Sequence, residues 1–133
     1  MVGRFYLVGI FIGLTAGTVA ALVGGAIAGF LFAFAGIDLR ENPFDSMSLI
    51  LMLLVVTSIS FIITGFVTAR HSPGGWIFDV GATGFVLLFL SAAALFDSGN
   101  AIFPFWFNLS MFLLSVPLVL VGGRLYSRRW RVN

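Results

Sequence analysis

The sequence predicts an all-α integral membrane protein: a four-helix bundle with a glycine-zipper first helix and both termini in the cytoplasm. Three observations carry this. The 133 residues are 60% hydrophobic and only 9% charged, against roughly 25% charged in an ordinary globular domain, and the mean hydropathy is +1.14. Four apolar runs are each long enough to cross a hydrocarbon core of about 30 Å. Six of the seven arginines fall on one side of the resulting arrangement.

The first run, residues 6–35, holds small residues at every fourth position: Gly9, Gly13, Gly17, Ala21, Gly25 and Gly29, continued by Ala33. Glycine inside a helix costs about 1 kcal/mol relative to alanine in water. In a bilayer the same residues form a surface on which another backbone can pack closely. Four residues turn a straight helix by about 400°, so the row drifts about 40° per step. One straight partner cannot use all of it. Gly9, Gly13 and Gly17 are expected to meet one neighbour, and Gly25, Gly29 and Ala33 another. A heptad step offers a second route, because Gly17 and Gly24 lie only about 20° apart. The run is about twice the length of a signal-peptide core, so it is read as a retained span although Ala33-Phe34-Ala35 resembles a cleavage site. At about 45 Å it must tilt or protrude.

The second run, residues 47–69, follows the polar stretch from Gly36 to Ser46 and carries Thr57, Ser60, Thr64 and Thr68 at helical spacing. Such hydroxyls bond to their own carbonyls or across to a neighbour, at about 0.6 kcal/mol each, or else line a polar path. Ser72-Pro73-Gly74-Gly75 breaks the chain before the third run, residues 76–96. Asp79 lies in the first turn of that helix, where a carboxylate is favoured, and Arg70 across the turn is its expected partner. The other reading of Asp79 is a headgroup or proton site. His71 is the lone histidine, so bis-histidine haem ligation is excluded.

After Asp97-Ser98-Gly99-Asn100 the fourth run covers residues 102–121, with Pro117 expected to kink it. Asn108 is the strongest polar group at depth, about two turns from the outer end, and its amide is expected to find its partners on a neighbouring helix. The match of Asn108-Leu109-Ser110 to a glycosylation sequon is chance, since an embedded asparagine is not an acceptor. Four spans occupy nearly the whole of residues 1–133, a single transmembrane domain with no room for a soluble catalytic one.

Arg4, Arg70, Arg124, Arg128, Arg129 and Arg131 share one side, and Arg40 alone lies on the other. The positive-inside rule then puts both termini in the cytoplasm of a bacterial-type inner membrane. A bias this strong also argues against a dual-topology dimer. Arg124, Arg128, Arg129 and Arg131 are candidate lipid-headgroup contacts.

The residue inventory excludes several classes. Without cysteine there is no disulfide or iron–sulfur ligation. No span carries a carboxylate, lysine, arginine or histidine near its middle, the position that ion-coupled transporters and proton-driven rotors need. Small multidrug-type pumps are similar in size but need a glutamate in their first helix, which is absent here. No metal cluster, activated nucleophile or phosphate loop is legible. The expectation is a non-enzymatic protein with no cofactor, whose partners are membrane lipids and other membrane subunits or its own copies, and not nucleic acid. Thr57, Thr64, Arg70, Asp79 and Asn108 are the residues of a possible polar site.

Two resemblances add to this. "GFVTARHSPGGWIFDVGATG", Gly65 to Gly84, together with Gly122-Gly123, resembles an uncharacterised family of small four-span bacterial membrane proteins. That implies the fold and no activity. "RFYLVG" and "SRRW" look like the start and end of GtrA-type flippases, which move polyprenyl-phosphate-linked sugars. Those carry an asparagine and an aspartate in the first span, where this chain has only Thr15 and Thr18 as polar residues. The leading expectation is an accessory or assembly subunit, or a homo-oligomer, packed through the first helix. The alternative is a small flippase or permeation protein for lipid-linked or amphiphilic substrates.

Overall fold

The computed structural model describes residues 2–36, 47–72, 76–96 and 103–130. They form four α-helices: α1 (Val2–Phe34), α2 (Met47–Arg70), α3 (Trp76–Phe96) and α4 (Phe105–Trp130). All four are long and apolar enough to cross a membrane. Burial is distributed as a lipid solvent requires. Ser60, Thr64, Thr68, Asp79, Thr83 and Ser115 are inside, while Phe11, Phe34, Phe78, Phe89 and Phe96 are at least 70% exposed. Water would reverse this arrangement; in lipid, bulky apolar side chains face out and small or hydroxylated ones let the helices approach.

The boundaries of α2 and α3 agree with the sequence to within a residue. Helix α1 ends at Phe34, one residue short of the expected end. It is closed by Gly36, whose φ of 76° suits glycine and whose N–H donates to the Ala33 carbonyl at 3.2 Å. Helix α4 departs most. It starts at Phe105, with the Pro104 carbonyl accepting from the N–H groups of Phe107 and Asn108, and the expected first residue, Ile102, lies outside the described residues. At its other end it runs nine residues past Val121. The reason is packing: Gly122 and Gly123 are buried against α2 and α3, so the glycine pair is a contact and not a stop. Pro117 does not interrupt the helix. Its ring is exposed, and it withdraws the helical donor only from the Leu113 carbonyl.

Helix α2 is the centre of the bundle. It packs most extensively on α4 and α1, α4 packs on α3, and α1 touches α3 slightly and α4 not at all among the described residues. The order around the bundle is therefore α1, α2, α4, α3, with a loose seam where α3 returns to α1. Two apolar clusters fill the interior. Ile50, Phe107 and Met111 lie towards one end, and Ala69, Val80 and Val119 towards the other. Phe61 packs against both.

Candidate functional site

The hydroxyl ladder of α2 is largely self-satisfied. Thr57 donates to the Leu53 carbonyl at 2.8 Å, Ser60 to Val56 at 2.9 Å and Thr64 to Ser60 at 2.8 Å. Thr68 lies 3.5 Å from Thr83 on α3, oxygen to oxygen, and Thr83 donates to the Asp79 carbonyl at 2.8 Å. Apart from Thr68 with Thr83, these hydroxyls are spent on their own helix, which leaves few polar atoms free to line a path.

The same ladder faces the glycines of α1. A methyl added at Gly13 would fall on Thr68 Oγ1, and one at Gly17 on Thr64 Oγ1; at Gly9 it would lie 3.2 Å from the His71 carbonyl oxygen. Gly13 and Gly17 each make room for one residue of α2, and Gly9 for the residue that follows it. Beyond Gly17 the contact follows the heptad step: Gly24 meets Val56, and Ala28 is fully buried. Gly25 and Gly29 have no atom within 4 Å of an added methyl. The second neighbour expected for that half of the row is not supplied by any described residue, because a straight α2 can follow only the positions that stay on one side of α1.

The expected ion pair between Arg70 and Asp79 is replaced by a different contact. Asp79 is 3% exposed, and its carboxylate accepts a hydrogen bond from the Ser72 hydroxyl. Arg70 is exposed and forms no ion pair among the described residues. The Ser72 hydroxyl, two residues beyond the end of α2, reaches the carboxylate in the first turn of α3, whereas Arg70, the last residue of α2, is exposed. Arg124 and Arg128 are exposed near the end of α4, as headgroup contacts would be. The side chain of Arg129, and all of Arg131, lie outside the described residues.

Two mostly apolar cavities, each with a few hydroxyl or amide groups in its wall, lie between the helices. The larger, about 380 Å³, opens between α2, α3 and α4 and is lined by both Thr57 and Asn108. The smaller, about 170 Å³, lies between α1, α2 and α3 and contains Thr57, Ser60 and Thr64 with Gly17 and Ala21. Thr57, Phe61 and Leu87 belong to both walls. Three of the five residues foreseen as a polar site, Thr57, Thr64 and Asn108, are thus gathered around Phe61. Arg70 and Asp79 belong elsewhere, at the turn between α2 and α3. Phe61, Leu87 and Ser91 went unforeseen, since an apolar residue or a lone serine in a span carries no signal of its own.

Comparison with protein-family models, with curated proteins and with solved structures finds no match to this chain. Its function has to be read from its own residues.

Proposed function

We propose that this multi-pass protein is a non-enzymatic accessory or assembly subunit of a complex in a bacterial-type inner membrane, or a homo-oligomer, and that it associates through the half of α1 that holds Gly25 and Gly29. One observation carries the reading. Along a single helix, Gly13, Gly17 and Gly24 each meet a residue of α2 and Gly9 meets His71 just beyond its end, while Gly25 and Gly29 are equally small and meet no described residue. Around them Leu22, Ile27 and Phe30 are 69%, 54% and 66% exposed. Lipid provides no hydrophobic drive between helices, so close backbone approach at small residues is what holds a second chain.

The test is a pair of leucine substitutions. Gly13→Leu strikes the α1–α2 contact and should lower yield and detergent stability. Gly29→Leu should leave the monomer folded and abolish association, read by crosslinking in membranes and by native mass spectrometry. A folded Gly29→Leu variant with unchanged association would sink the proposal.

A second reading, movement of a lipid-linked or amphiphilic substrate, is favoured by the two cavities that abut at Thr57, Phe61 and Leu87. Their walls are mostly carbon. They suit an apolar chain better than a charged headgroup.

A further inference from the structure

The larger cavity sits at the end of the bundle away from most of the arginines. Its lining includes the apolar Phe61 and Leu87 and the polar Ser91 and Asn108. Counted along the helices, Asn108 is about 5 Å from the start of α4 and Ser91 about 8 Å from the end of α3, whereas Leu87 is about 14 Å in and Phe61 about 21 Å in. The polar end of the lining, which serves as the mouth, is therefore at the edge of the hydrocarbon, and the apolar end is near its middle.

The polar groups at the mouth differ from the other hydroxyls in the spans. Thr57, Ser58 and Ser110 each donate to a carbonyl of their own helix, at 2.8, 2.7 and 2.7 Å. The side chains of Ser91 and Asn108 bond to no described residue, and both are half-buried. An unbonded amide at the edge of the hydrocarbon is satisfied by a partner from outside the described residues. What the membrane offers at the hydrocarbon edge is the ester carbonyl of a glycerophospholipid, an acceptor without a donor. Asn108 Nδ2 and Ser91 Oγ are donors. Below them the cavity is apolar, and its volume is within the range of about 300–1,000 Å³ typical of ligand pockets.

We infer that this cavity binds one acyl chain of a glycerophospholipid, with the chain lying against Phe61 and Leu87 and its ester carbonyl accepting hydrogen bonds from Asn108 and Ser91. The lipid enters sideways between α3 and α4. Binding of this kind is independent of association through α1 and involves no passage of the headgroup.

The test uses the whole chain in vesicles of phosphatidylethanolamine and phosphatidylglycerol, with a trace of phosphatidylethanolamine carrying a diazirine in mid-chain. After photolysis, peptide mapping should place adducts on Phe61 and Leu87 above the level at Phe89 and Phe78, which face the bulk lipid. Asn108→Leu should lower the cavity adducts about threefold, the equivalent of one buried hydrogen bond of about 0.6 kcal/mol. Ala94→Phe, which adds bulk to an exposed residue of the cavity wall, should lower them further, with Phe78 labelling and the thermal transition unchanged. Cavity labelling no greater than that at Phe89 would overturn the site. Undiminished labelling in Asn108→Leu, or capture of a photoactivatable polyprenyl phosphate in place of the phospholipid, would overturn the ester assignment.

Discussion

Single glycines in this chain differ in what a methyl group would strike, and that difference sets the cost of replacing them. At Gly65 the obstruction is the Val119 carbonyl oxygen, and at Gly122 it is the Ile62 carbonyl oxygen. Both are backbone, and the two contacts are reciprocal, so α2 and α4 touch main chain to main chain. Gly65→Ala or Gly122→Ala can be accommodated only by separating the helices, at about 1–3 kcal/mol or more. At Gly17 the first obstruction is a hydroxyl, Thr64 Oγ1, and the next atoms are 3.1 and 3.3 Å away. That hydroxyl can rotate or be removed. Gly17→Ala should therefore cost less than Gly65→Ala in detergent unfolding, and Thr64→Ala in the same chain should restore most of the loss. No side-chain change near Gly65 offers the same rescue. If Gly65→Ala proves as mild as Gly17→Ala, the main-chain contact between α2 and α4 is wrong.

Helices meet at turns, and the turn between α2 and α3 holds the one fully buried carboxylate among the described residues. Because Asp79 is satisfied by Ser72 and not by Arg70, Ser72→Ala should destabilise the fold by about 1.5–3 kcal/mol, the range for a hydrogen bond to a charged group. Arg70→Ala, at an exposed position, should change stability by less than about 0.5 kcal/mol. Thermal unfolding of the two variants distinguishes them, and equal effects would return Arg70 to the role of partner. This element also shows what was legible beforehand. Apolar runs and turn residues located α2 and α3 nearly to the residue, since length and hydropathy alone decide a span. Neighbours were not legible. The period of the glycine row reports angles around α1 but not which helix lies at each angle, and Gly65 and Gly122, where two main chains touch, belong to no repeating row. Thr57 and Asn108 could be singled out because polar atoms at depth need partners. Phe61, which joins both cavities, could not, because it resembles every other phenylalanine in the spans.

Across the whole molecule, the contacts of Gly9 with His71 and of Gly123 with Trp76 place the start of α1, the end of α2, the start of α3 and the end of α4 at one end of the bundle. Arg70, Arg124 and Arg128 belong to that end, and Arg4, Arg129 and Arg131 extend the same bias in the sequence, against Arg40 alone at the other. A partition of this size is expected to fix orientation, with both termini in the cytoplasm. The native chain has no cysteine, which leaves every introduced thiol as the sole target of a labelling reagent. Cysteines replacing Ser46 and Ser98 should react in intact cells with a membrane-impermeant maleimide, and cysteines replacing Ser72 and Ser127 only after the membrane is opened. Labelling of the Ser127 position in intact cells would invert the molecule, and with it the leaflet onto which the mouth at Ser91 and Asn108 opens. In the orientation the arginines favour, that mouth faces the outer leaflet. A lipid bound there would be drawn from the side of the membrane remote from the basic end of α4, where Arg124 and Arg128 would meet the headgroups of the other leaflet.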